Sequence, residues 1–161
     1  FPSVLEALLG KDVKVVNGGV SGATSASALQ RIKWFEKSKP AIIILELGGN
    51  DMLRGLSPAK TMDNLAKAID YAKSKGMTVL LAGMRAAPNM GKSYTAAFDR
   101  IFPDLARKKG VALIPFILEG VAGEPSMNQP DGIHPNAAGQ RKIAEILAQP
   151  LRVLMRAETP R

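Results

Sequence analysis

His134 is the only histidine in a chain of 161 residues, and it stands three residues after Asp131 in the stretch "DGIHPN", 131–136. A neutral imidazole serves as a base when one ring nitrogen keeps the proton and the other is left as acceptor. A carboxylate on the first nitrogen fixes that tautomer. Pro135 restricts the backbone of His134 immediately before it. A second stretch, "GGND", 48–51, carries Asn50. Its side-chain amide is neutral at every working pH and can hydrogen-bond a developing oxyanion without giving up a proton. A third, "NGGVSGATS", 17–25, is rich in glycine, which lets backbone amides approach a ligand closely. Each stretch also has a plain reading: a polar turn, a Gly-Asn-Asp turn, and a flexible entry to a helix.

The third stretch points in two directions. Asn17, Gly19 and Gly22 fall on the three glycine positions of the G-x-G-x-x-G dinucleotide fingerprint, and Glu46 ends the next apolar run, where a ribose-binding acid would stand. Asn17 in the first position breaks the tight turn that the fingerprint needs. A nucleotide-binding oxidoreductase domain therefore stays open as an alternative at this point.

Composition narrows the field. There is no cysteine, which excludes thiolate nucleophiles and disulfides. With one histidine and no cysteine, only carboxylates could complete a metal site, so no metal and no cofactor are expected. The net charge of +8 comes from lysines and arginines scattered over helix faces, without the basic-aromatic clusters that stack bases. No nucleic-acid partner is expected on that ground. No apolar run is long enough to span a bilayer.

The elements that must hold these loops alternate. A helix over 3–9 stops at Gly10. "VKVV", 13–16, reads as a short strand. A helix capped by Thr24 runs to about Lys37. "AIIILEL", 41–47, reads as a strand covered on both faces. A helix opened by Ser57 and Pro58 runs to about Lys75, and "TVLLAGM", 78–84, is a second buried strand. A helix over 93–109 is kinked by Pro103, and "VALIP", 111–115, is a further strand. A last helix starts near Ala137 with Asn136 as cap, and Pro150 bends or interrupts it. Such alternation argues for one α/β domain over 1–161, a flavodoxin-like three-layer α/β/α sandwich with a parallel sheet. Because the series opens on a helix, the first strand is expected upstream of Phe1, making the domain N-terminally truncated. Ligands bind at the carboxyl ends of such strands, where all three stretches fall.

Taken together and in this order, the three stretches resemble the SGNH hydrolases, also called GDSL lipases and esterases, and within them the bacterial thioesterase, arylesterase and lysophospholipase branch. Gly22 matches the family's second block. Gly48, Gly49, Asn50 and Asp51 match its G-x-N-D block, and Asp131, His134 and Pro135 its D-x-x-H-P block. The resemblance implies a serine ester hydrolase acting on a small-molecule ester or thioester. His134 would be the general base and Asp131 its orienting acid, with Gly22 and Asn50 in the oxyanion hole. It also leans toward an exported protein. The Gly-Asp-Ser-Leu block that carries the nucleophile has no counterpart among the nine serines of this chain. The nucleophile is therefore expected upstream of residue 1, on the absent strand, and residues 1–161 alone are expected to be inactive. A relative that has lost its nucleophile is the remaining non-enzymatic alternative.

Overall fold

The computed structural model describes residues 1–158, which divide into two compact units: residues 18–116, and residues 1–17 with 117–158. The fold is α/β. The larger unit holds a parallel sheet of three strands, β1 (Ile42–Leu45), β2 (Thr78–Ala82) and β3 (Ala112–Ile114), in the order β1-β2-β3. β1 pairs with β2 from Ile42↔Thr78 to Leu45↔Leu81, and β2 with β3 from Leu80↔Ala112 to Ala82↔Ile114.

β2 is the central strand, and Val79, Leu80, Leu81 and Ala82 are buried. β1 has β2 as its hydrogen-bonded neighbour on one side only, and Ile42, Ile43 and Ile44 are half-buried. The expected burial of this run is met at Leu45 and only in part at Ile42–Ile44, and among the described residues β1 lies at a sheet edge. Of the remaining elements in this unit, α2 (Ala28–Phe35) contributes Ala28 and Ile32 to the core. After α3 (Gly49–Leu53), α4 (Pro58–Ser74) adds Leu65, Ala68, Ile69 and Ala72 at helical spacing, with Ser57 as its cap. The long helix expected over 93–109 is two helices, α5 (Lys92–Asp99) and α6 (Ile101–Lys109). Pro103 has no N–H for the carbonyl of Asp99 and its ring crowds that carbonyl, so the break falls at Arg100. Phe98, Ile101, Phe102 and Leu105 still reach the core from both pieces.

The smaller unit packs α1 (Pro2–Leu9) on α7 (Ala137–Glu158), burying Leu5, Ile143, Leu147 and Leu151. One expectation fails here and another is narrowed. Residues 13–16 belong to no strand. The Val13 N–H donates to the Gly10 carbonyl, and the Val15 N–H to Glu6 Oε2 at 2.7 Å, so a carboxylate takes the bond that a neighbouring strand would. β-Branched residues alone do not make a strand without a ladder to join. Of the bend or interruption expected at Pro150, the interruption does not occur, since α7 runs through that residue. The apolar contact with α1, together with Arg152 donating to the Leu8 carbonyl at 2.6 Å, holds the last turns despite the missing N–H. Among the described residues no helix is long and apolar enough to cross a membrane.

Gly83 follows β2 where the chain passes closest to β3. Its N–H donates to the Ile114 carbonyl at 2.7 Å, and a Cβ there would lie 2.4 Å from the Pro115 carbonyl oxygen. Backbone cannot rotate away as a side chain can. Gly83→Ala is therefore expected to lower the free energy of unfolding by about 2–3 kcal/mol in a urea titration. A loss under about 0.5 kcal/mol would show that β3 moves aside freely.

Candidate active site

The "DGIHPN" stretch is a turn built around one carboxylate. Asp131 Oδ1 accepts the backbone N–H groups of Ile133 and His134, each at 3.0 Å, while Oδ2 lies 2.8 Å from His134 Nδ1. The amides of His134 and Ile133, then the imidazole, stabilise the charged form and hold the Asp131 carboxyl down at about 2. With Nδ1–H donating to this carboxylate, Nε2 is left as the acceptor. The His134 side chain is 64% exposed, so that acceptor is open to solvent or substrate.

The turn is fastened at its base. Gln129 N–H donates to the His134 carbonyl at 2.8 Å, and Asn136 N–H to Met127. Asn128 is buried, and its amide donates to the carbonyls of Val121 and Glu124. Asn136 caps α7 as expected, Oδ1 accepting from Ala138 and Gly139, while its amide reaches Ser126 and Asn128. Gly139 permits this closeness: a Cβ there would fall 2.3 Å from the Met127 carbonyl oxygen.

The other two stretches meet within the larger unit. "GGND" follows β1 and opens the short helix α3 rather than a hairpin-like turn, with Gly48 as its cap at φ 120°. That left-handed value favours glycine, and a Cβ at Gly48 would press on Phe102 at 3.0 Å. Asn50 is half-buried, and its Nδ2 donates to the Ala23 carbonyl at 2.9 Å. The amide has two N–H groups, so this bond fixes its plane and leaves the other as a donor. Gly22, one residue before Ala23, has φ 72°. Its carbonyl accepts from Arg54 at 2.9 Å. The structure thus joins Gly22 to Asn50 in one unit, and Asp131 to His134 in the other.

Sequence reasoning gave Asp51 only a place in a motif. The structure makes it the anchor of the glycine loop. It is 1% exposed, with Oδ2 accepting the Ser25 N–H at 2.8 Å and Oδ1 accepting the hydroxyls of Ser25 at 2.5 Å and Thr61 at 3.1 Å. Asn64 in turn donates to Ser25 Oγ at 3.0 Å. Ser25 is therefore consumed by structure and is no nucleophile. An acid placed directly after the donor Asn50, at a strand end, was the available signal, but it named no partner.

The dinucleotide reading fails on context. Asn17, Gly19 and Gly22 follow no strand, and the chain after them enters a short 3₁₀ turn at Ser25–Ser27 before α2. Burial pushes the Glu46 carboxyl up to about 7, which suits it poorly to accept bonds from a ribose as a full carboxylate. In the larger unit a depression of about 540 Å³ is lined by Pro58, Met90, Lys92, Tyr94 and Ala97. Tyr94 donates to the Leu56 carbonyl at 2.9 Å, tying this depression to the segment after α3.

Comparison with known proteins points to one family. The model of the GDSL-like Lipase/Acylhydrolase family matches residues 1–142. Esterase TesA of Pseudomonas aeruginosa is 44% identical over 91% of this chain and 73% of its own length. Thioesterase 1/protease 1/lysophospholipase L1 of Escherichia coli K12 is 37% identical over 96% of this chain and 75% of its own. A crystal structure of TesA superposes with a TM-score of 0.89 at 42% identity, covering 95% of this chain and 87% of that one.

Removing the Asp51 carboxylate would leave the Ser25 N–H and hydroxyl buried without an acceptor, while the Thr61 hydroxyl keeps the Ser57 carbonyl at 3.2 Å. Asp51→Ala is expected to cost about 2–4 kcal/mol in chemical denaturation, and Thr61→Val, which removes one donor and keeps the shape, under about 1.5 kcal/mol. Equal losses in the two variants would mean that the carboxylate is not the centre of the network.

Proposed function

The chain belongs to the GDSL-like Lipase/Acylhydrolase family, which makes it a carboxylic ester hydrolase, and we propose that His134, Asp131, Gly22 and Asn50 are its catalytic parts, serving a serine upstream of residue 1. The observation that carries the reading is the 2.8 Å pairing of His134 Nδ1 with Asp131 Oδ2, which leaves Nε2 as a base. Among the described residues β1 has one paired neighbour, and a strand bearing the serine could add at its other edge.

The serine hydroxyl attacks the acyl carbon while His134 Nε2 takes its proton. Asp131 keeps the imidazole in the right tautomer and stabilises the imidazolium. The oxyanion of the tetrahedral intermediate accepts bonds from the Gly22 N–H, the second N–H of Asn50 and the serine's own N–H. His134 then gives its proton to the leaving alcohol or thiol. A water repeats the cycle on the acyl-enzyme and releases the acid. The depression beside Met90 and Tyr94 suits an apolar acyl group, and aryl esters, acyl thioesters and lysophospholipids are the substrates to test.

Two measurements on the full-length enzyme with p-nitrophenyl esters check this. Asn50→Ala should lower kcat by about a hundredfold or more with little change in KM, because the bond strengthens only in the transition state. A raised KM at unchanged kcat would make Asn50 a substrate-binding group instead. The second measurement is pH. Asp131, with its carboxyl held at about 2, stays charged until pH falls through that value. Protonation of Asp131 should therefore remove no activity above about pH 4. A fall in log kcat/KM with a slope of two above that pH would contradict this, and kcat/KM unchanged in His134→Ala would remove His134 from the role of base.

A further inference from the structure

We propose that Arg54 is a positioning residue for the oxyanion-binding amide of Gly22, an inference that rests on the roles given to Gly22 and Asn50 above. Arg54 follows the last residue of α3, four residues after Asn50, so the two side chains leave the same face of one helical turn. That face meets the glycine loop. Arg54 donates to the Gly22 carbonyl at 2.9 Å, Asn50 donates to the Ala23 carbonyl at 2.9 Å, and Asp51 accepts the Ser25 N–H at 2.8 Å. Three consecutive peptide groups, 22–23, 23–24 and 24–25, are each held by one residue of the segment 50–54.

Gly22 needs this help most. Glycine adopts positive and negative φ about equally, so its own chemistry does not fix the direction of its N–H. That N–H lies in peptide 21–22, which meets peptide 22–23 at the Gly22 Cα with φ 72°, so holding peptide 22–23 limits the N–H through the two Gly22 torsions. The Ala23 N–H donates to the Val20 carbonyl at 3.2 Å, which secures one end of peptide 22–23 through a local turn. Arg54 secures the other end from α3, 32 residues away in sequence. A guanidinium donor to a carbonyl is charge-assisted and stronger than a neutral one. Arg54 is also exposed, so solvent screens the field of its charge. Its effect on the site is therefore geometric, acting through the bond rather than through long-range potential.

The test uses the full-length enzyme and a p-nitrophenyl ester. Arg54→Met keeps the length of the side chain and removes both donor and charge. Displacing an oxyanion donor costs less than deleting one, so kcat should fall about 10-fold to 30-fold, against about 10²–10³ for a deleted donor. KM should stay within about twofold, and the midpoint of thermal unfolding should hardly move. Arg54→Lys should recover part of the loss. In Arg54→Ala, added guanidinium ion should restore kcat and added methylammonium should not. Unchanged kcat in Arg54→Met, a rise in KM alone, or equal rescue by methylammonium would each overturn the proposal. Asn50→Ala, measured alongside, separates the two levels. If it loses kcat while Arg54→Met does not, only the role of Arg54 fails. If it keeps its kcat, the oxyanion reading beneath it fails.

Discussion

The Asp51 carboxylate, buried between the glycine loop and α4, is the constraint from which the larger unit's share of the site follows. A buried acceptor with three donors within 3.1 Å admits few alternative arrangements, because moving Ser25 away would leave its N–H and the carboxylate without their bonds. Ser25 and Thr61 are thereby fixed to α3. Once Ser25 is fixed, the chain before it has little freedom: Asn50 holds Ala23 and Arg54 holds Gly22. The donors are set before any substrate arrives, and such preorganisation is where electrostatic catalysis draws its strength.

The smaller unit solves a similar problem with local bonds. Asp131 takes two backbone amides two and three residues ahead, then the imidazole three residues ahead. Nothing distant is needed to shape the turn itself. What it does need is a rigid base, which Asn128, Asn136 and the bare Cα of Gly139 provide at the start of α7.

This difference in range explains how much was legible in the sequence. The pairing of Asp131 with His134 could be read because it spans three residues, and so could the Asn136 cap and the break caused by Pro103. The buried strands announced themselves through apolar runs, and the order of the motifs identified the family. The partners of Asp51 could not be read, since they lie 26 and 10 residues away and no periodic pattern links them. Arg54, 32 residues from Gly22, was invisible for the same reason. The strand expected at 13–16 and the interruption allowed at Pro150 run the other way. There the local signal was clear, but strand pairing in the first case and helix packing in the second decided the outcome.

The contrast between the two acids also has a chemical logic. In the proposed roles a general base must trade its proton with substrate and solvent in every cycle, and the 64% and 45% exposure of the His134 and Asp131 side chains suits that demand. A charge-stabilising donor exchanges nothing; it must only refuse to move when negative charge appears beside it. Burial serves that purpose, since at low local dielectric a displaced polar group is costly and the network resists deformation. Asp51 therefore does at depth what Asp131 does at the surface: it directs donors by accepting their hydrogen bonds. On the proposed roles one acid governs a group that must turn over protons and the other a set of amides that must stay still, and exposures of 45% and 1% suit those opposite demands.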